Sequence, residues 1–195
     1  FLIFFVISLF LTKFGLKKIK QLNLLQNIRD IVPSLHMNKR NTPTMGGVFI
    51  ITPFLLLLLI LNYQFNSIGI ELLLFNTFGF FIIGFLDDYL SITKKQSTGL
   101  KSIEKFILQA LISVLFIILA ADRGYISQFM TISNNWTIDT SLLIFPISFF
   151  TLVGLSNAVN LTDGLDGLAS GCSSIVFYGL GTEIFIKGEK DLIIY

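Results

Sequence analysis

Six long apolar runs, separated by polar connections, constrain this chain more than any other feature. They cover roughly Phe1–Leu16, Gly46–Leu61, Gly69–Leu86, Ile103–Ala121, Leu142–Val159 and Leu168–Ile186. A helix needs about 20 apolar residues to cross a hydrocarbon core, and only helices and closed barrels satisfy their own backbone there. The runs are continuous and not striped at helical spacing, so lipid is their expected surrounding. Of 195 residues, 13% are charged, against roughly a quarter in soluble domains. These features predict an all-α fold, a polytopic transmembrane helical bundle with six spans, forming one integral membrane domain over 1–195. Pro53 falls inside the second run, where a spanning helix tolerates it as a kink. The first run is short, opens without Met and precedes its lysines. That is the wrong order for a cleavable signal peptide, so the chain is expected to start inside a helix and to be truncated at both ends. Cys172 is the single cysteine, which excludes an internal disulfide and a cysteine-based zinc cluster.

Orientation follows from the basic residues, which accumulate in cytoplasmic loops. Lys13, Lys17, Lys18, Lys20, Arg29, Lys39 and Arg40 lie between or beside the first two runs. Lys94, Lys95, Lys101 and Lys105 lie around the third connection. The second connection, Asn62–Ile68, has none, and Asp122–Ser141 has Arg123 alone. The first and third connections are therefore expected on the cytoplasmic side, and alternation adds the loop around Thr162–Gly167. The segment Asp122–Ser141, with Tyr125 and Trp136, reads as an external connection with interfacial aromatics.

Three polar segments then fall on one face, where clustered ionisable groups at a membrane boundary suggest function. The first runs from Asn27 to Gly47. Pro43 biases Thr42 toward an extended conformation, and Gly46-Gly47 lets backbone approach a ligand. Lys39, Arg40, Thr42 and Thr44 there would suit an anionic phosphate; a plain basic turn is the bland alternative. His36 reads as a solvated loop histidine. The second is Gly84-Phe-Leu-Asp-Asp-Tyr89, expected at the C-terminal end of the third span. Adjacent carboxylates there oppose the helix dipole and repel one another, so either Lys94 and Lys95 or a divalent cation should compensate. Consecutive helical positions differ by about 100°, so Asp87 and Asp88 cannot share one aim. The bland alternative is a marker of the membrane edge.

The third is Asn157-Ala-Val-Asn-Leu-Thr-Asp-Gly-Leu-Asp-Gly-Leu-Ala169. Asn157, Asn160, Asp163 and Asp166 recur every three residues and drift around a straight helix, so a break at Gly164 and Gly167 is needed to regroup them. A polar connecting turn is the alternative. Carboxylates and amides without thiol or imidazole suit a hard cation such as magnesium, or a nucleoside. With lysines and phosphate-compatible glycines on the same face, phosphoryl transfer between a soluble diphosphate and a lipid fits this set.

The segments Thr42-Pro-Thr-Met-Gly-Gly47, Gly84-Phe-Leu-Asp-Asp-Tyr89, Ser97-Thr-Gly-Leu100 and Asn157–Ala169 resemble those of the bacterial phospho-N-acetylmuramoyl-pentapeptide transferases. These form a branch of the polyprenyl-phosphate N-acetylhexosamine-1-phosphate transferase superfamily. Order and spacing agree across nearly the whole chain. The resemblance implies transfer of phospho-MurNAc-pentapeptide from UDP-MurNAc-pentapeptide to undecaprenyl phosphate, releasing UMP and giving lipid I with magnesium. It implies a bacterial plasma membrane location with a cytoplasmic active site. Its partners are those two substrates and membrane lipid, not nucleic acid, and a homodimer is compatible with it. Asp87 and Asp88 correspond to the catalytic and magnesium-binding pair, with proton removal from the lipid phosphate assigned to Asp87. Asn157, Asn160, Asp163 and Asp166 correspond to the nucleotide side, Lys39 and Thr44 to the first substrate loop, and Lys105 to a phosphate-side lysine. The family fold has ten spans, so the chain resembles a fragment, expected to be inactive alone: a further metal-site aspartate and a histidine-rich loop are missing. Arg40-Asn41 and Ile31-Val32 also depart from the usual glycine-bearing sequences. A sibling GlcNAc-1-phosphate transferase and a membrane transporter are the alternatives.

Overall fold

A computed structural model describes residues 2–21, 44–94, 99–126, 129–133, 136–139, 142–163 and 167–187. The described residues form six helices in chain order: α1 (Leu2–Gln21), α2 (Gly47–Phe65), α3 (Ile68–Lys94), α4 (Ser102–Asp122), α5 (Ile144–Thr162) and α6 (Leu168–Lys187). Each corresponds to one of the six apolar runs. Five of them, α2 to α6, are long and apolar enough to cross a membrane. The exception, α1, carries Lys13, Lys17, Lys18 and Lys20 within its C-terminal half, which leaves it without an apolar stretch as long as those of the other five.

The chain divides into two compact units, Phe1–Phe145 and Pro146–Tyr195. In the first, α1 packs on α2, α2 on α3 and α3 on α4. Contact is confined to narrow stripes. Along α4 the buried positions are Gln109, Ser113, Ile117 and Ala120, spaced as one face of a helix. Along α3 they are Leu72, Gly79 and Ile83. Small residues let these helices approach. A methyl on Gly79 would lie 2.8 Å from the Ile112 Cγ2, and one on Gly15 would meet the Phe49 ring. That is the expected packing mode in lipid, where burial of apolar surface gives helices little reason to associate. The remaining faces present Phe54, Leu56, Leu59, Phe78, Phe106, Ile107 and Leu111 outward, which suits hydrocarbon surroundings. Pro53 is buried within α2, which runs through it.

Two boundaries differ from the sequence expectation. Helix α3 continues beyond Leu86 to Lys94, so Asp87 and Asp88 stand nearly two turns inside it. Their opposition to the helix dipole is correspondingly small, because that effect fades within the terminal turn. The connection after α4 also contains an antiparallel hairpin, β1 (Phe129–Ser133) and β2 (Trp136–Asp139). Met130 pairs with Ile138 and Thr131 with Thr137, with an irregularity between Thr131 and Ser133. Its Thr, Ile, Phe and Trp content is typical of strands; the spanning architecture remains all-helical.

In the second unit, α5 ends at Thr162 and α6 starts at Leu168. Gly167 adopts a left-handed conformation with φ 81°. Of the two glycines expected to break the helix, Gly167 stands at the start of α6, and Gly164 lies outside the described residues.

Candidate active site

The site in the first unit is built at one end of α2, α3 and α4. Antiparallel packing brings the start of α2, the region of α3 around Asp87 and the start of α4 together. The opposite end holds the α2–α3 turn and Tyr125, whose hydroxyl lies over Gly69.

Asp87 points toward α4. Its Oδ1 accepts a hydrogen bond from the Leu100 amide at 2.9 Å. Its Oδ2 accepts one from Lys105 Nζ at 2.8 Å, and the two side chains form an ion pair that is only 18% and 24% exposed. Asp88 points toward α2. Its Oδ2 accepts a hydrogen bond from the Met45 amide at 3.2 Å, and the Thr44 side chain stands beside the same carboxylate. The divergence of the two aspartates follows from the 100° step between consecutive helical residues.

Of the two compensations expected for the acidic pair, a divalent cation or Lys94 with Lys95, Lys94 does not reach Asp87 and Lys95 lies outside the described residues. Lys105 neutralises Asp87, whereas Lys94 donates to the Gly99 carbonyl at 3.2 Å. The reason is the extra length of α3: Lys94 lies a further two turns along the helix and reaches the following connection instead. Lys105 is placed by the start of α4. The Lys101 amide donates to Glu104 Oε2 at 2.9 Å, satisfying a free donor of the first turn. Lys105 follows one turn later.

Sequence reasoning did not single out the backbone of Met45 or that of Gly99 and Leu100. Met45 has φ 64°, left-handed for a residue with a side chain. Such a conformation costs about 1–3 kcal/mol and tends to mark sites held by their surroundings. Here it accompanies the amide contact to Asp88. Gly46 and Gly47 have open space where a side chain would stand, as a ligand-facing turn requires. The signal for the second contact was the Ser97-Thr-Gly-Leu100 segment, noted only as a resemblance.

In the second unit, Asn157 is half-buried on α5 and its Nδ2 donates to the Val153 carbonyl at 2.8 Å. Asn160 is exposed near the end of α5, and Asp163 is exposed in the turn that follows. Thr44, Asp87, Asp88 and Lys105 are thus brought together in one unit, while Asn157, Asn160 and Asp163 share the end of one helix in the other. Lys39 and Asp166 lie outside the described residues, as do His36, Arg40, Lys95 and Gly164. Cys172 is a free, exposed thiol on α6.

Among the described residues no group of three His, Cys, Asp or Glu side chains could hold a metal by itself. Asp87 and Asp88 nevertheless offer hard carboxylate oxygens on successive positions. That donor set fits magnesium, which takes one or two carboxylates and completes its shell with water and substrate phosphates.

Helices long and apolar enough to cross a membrane, with two acidic groups and a lysine gathered at one end, define an integral-membrane protein with a charged cluster at the edge of its helical bundle. Residues 70–195 match glycosyl transferase family 4, and the chain belongs to that family. Residues 39–51 match phospho-N-acetylmuramoyl-pentapeptide-transferase signature 1. Two relatives from Prochlorococcus marinus, subsp. pastoris and strain MIT 9301, are 71% and 58% identical over 195 residues. Each alignment covers 100% of this chain and 54% of the relative. A relative from Bacillus cytotoxicus is 41% identical over 175 residues, 89% of this chain and 54% of its own length. All three carry the name phospho-N-acetylmuramoyl-pentapeptide-transferase. The chain spans about half the length of the curated relatives it matches.

Proposed function

We propose that the protein carrying this chain is a magnesium-dependent phosphoglycosyl transferase. It moves phospho-N-acetylmuramoyl-pentapeptide from its UDP carrier to undecaprenyl phosphate, giving lipid I and UMP. The observation that carries this reading is the Asp87–Lys105 ion pair at 2.8 Å, with Asp88 turned to Met45 at the next helical position. Both contacts are made by residues within the segments that match the family and its signature.

An oxygen of the lipid phosphate attacks the sugar-bearing phosphorus of the diphosphate. The bond from that phosphorus to the bridging oxygen breaks, and UMP leaves with the electron pair. Reactions of this kind are accelerated mainly by positioning and charge neutralisation. Asp87 is oriented by donors on both its oxygens and removes the proton from the lipid phosphate where one is present. Lys105 supplies positive charge next to Asp87 and toward the phosphates. Asp88, set by Met45 and Thr44, and Asp87 are the residues that would hold magnesium, which would supply neutralisation of charge on the diphosphate. Lys39 and Thr44 contribute the first substrate loop. Asn157, Asn160, Asp163 and Asp166 contribute hydrogen bonds on the nucleotide side. The basic residues of the first and third connections support a cytoplasmic site in a bacterial plasma membrane.

The test is an assay of the complete gene product in detergent or bilayers, with undecaprenyl phosphate and UDP-MurNAc-pentapeptide. Equal amounts of UMP and lipid-linked product, formed only with magnesium, are expected. Turnover of UDP-GlcNAc but not of the muramoyl substrate would assign the protein to the sibling transferases, and turnover of neither would overturn the reading.

A further inference from the structure

We infer that Gly99 and the backbone amide of Leu100 are positioning elements for Asp87, a role that rests on Asp87 being a working carboxylate of the proposed transfer. A carboxylate in a helix can still choose among several rotamers unless something outside the helix selects one. Asp87 is fixed at both oxygens: Leu100 donates to Oδ1 at 2.9 Å and Lys105 to Oδ2 at 2.8 Å. The lysine is a flexible side chain. The amide is backbone, has no rotamers to lose, and reaches Asp87 only if the chain runs directly against α3.

Gly99 permits that approach. It is buried, and a methyl in its place would overlap the Asp87 carbonyl oxygen. The same methyl would lie 2.7 Å from the Asp87 carbonyl carbon and 2.9 Å from the Ser91 nitrogen. All three are backbone atoms of a continuous helix and cannot turn aside. Any side chain at 99 must therefore push the connection away from α3, and the Leu100 amide moves with it. A shift of about 1 Å takes a 2.9 Å contact beyond hydrogen-bond range. Lys94 closes the clip from the last turn of α3 by donating to the Gly99 carbonyl at 3.2 Å. One short connection thus joins α3 to α4 and also orients the carboxylate between them.

The experiment uses the complete gene product. In the substrate-free protein, amide hydrogen exchange across residues 99–101 is compared among wild type, Asp87→Asn and Asp88→Asn. Loss of the charged acceptor in Asp87→Asn is expected to speed exchange about tenfold or more, while Asp88→Asn leaves it unchanged. In turnover assays normalised to folded protein, Gly99→Ala is expected to lower kcat about tenfold or more, with KM for the UDP-linked substrate within about twofold of wild type. Exchange that does not respond to Asp87→Asn overturns the proposal, as does a Gly99→Ala protein with wild-type kcat. If Gly99→Ala does not fold, the exchange comparison decides alone. An inactive wild type would refute the transferase reading, whereas the exchange measurement would still decide the contact between Leu100 and Asp87.

Discussion

Lys105 on α4 and Asp87 on α3, 18 residues apart in sequence, meet at 2.8 Å in a partly buried ion pair. Its worth is expected in turnover more than in stability, because the cost of desolvating two partly buried charges offsets much of their attraction. Lys105→Met keeps an unbranched apolar stem and removes the charge. Turnover should fall about 100-fold or more, by analogy with loss of a preorganised charge in other active sites. Unfolding free energy should fall by about 1–3 kcal/mol, because the Asp87 carboxylate loses its counter-charge in a partly buried place. UMP release and thermal unfolding of the same preparation check both; a variant that keeps its turnover removes Lys105 from the site.

Asp88 separates charge from scaffolding. Asp88→Asn retains a carbonyl oxygen for the Met45 amide, now 3.2 Å from Oδ2, but loses the negative charge. Asp88→Ala loses both. If Asp88 works as a magnesium-holding carboxylate, the two variants should lose turnover alike, about 100-fold or more. Stability should separate them: the alanine variant leaves a strained amide without its acceptor and should cost about 1–3 kcal/mol, against little for asparagine. Full turnover by Asp88→Asn would leave the residue as a brace for α2 and nothing more.

The sequence made the helices legible because run length alone decides what can cross a bilayer. The divergence of Asp87 from Asp88 and the break before Gly167 were equally legible, since both follow from 3.6 residues per turn. What it left out depends on contacts between distant segments. Nothing in Leu90-Ser-Ile-Thr-Lys94 stops a helix, and no spacing in the sequence brings Lys105 rather than Lys94 to Asp87; that pairing depends on how α4 packs on α3. The left-handed backbone of Met45 is imposed by its surroundings, not by residue type. The tightness at Gly99 depends on where α3 passes, which no spacing encodes. The hairpin at Phe129–Asp139 had the composition of strands but lay in a segment read as a simple loop.

Packing between α3 and α4 bears on the site from two turns away. Gly79 faces Ile112, with room for no side chain unless the isoleucine moves. An isoleucine can shift for a methyl, so Gly79→Ala should be mild. Gly79→Leu overfills the contact and should cost about 1–3 kcal/mol. It should also spread the two helices and weaken the Asp87–Lys105 pair, lowering turnover in the fraction that remains folded. Thermal unfolding with turnover measured below the transition tests the linkage. Loss of stability with full specific activity would show that the site end of the bundle tolerates separation at Gly79.

Gly167 opens α6 directly after the residues proposed for the nucleotide side. Its φ of 81° is one that side chains resist, and its carbonyl accepts from the Gly171 amide at 2.9 Å, opening α6. Asparagine tolerates this conformation far better than valine. Gly167→Asn should therefore keep the turn, whereas Gly167→Val should force it open at a cost of about 1–2 kcal/mol. On the proposed assignment of Asp163 and Asp166, that cost appears in recognition of the nucleotide more than in the chemical step. KM for the UDP-linked substrate should rise severalfold in Gly167→Val and stay near wild type in Gly167→Asn, with kcat changing less in both. Steady-state kinetics on the two variants give the answer directly. A kcat effect without a KM effect would place this turn with the reacting phosphates rather than with the uridine.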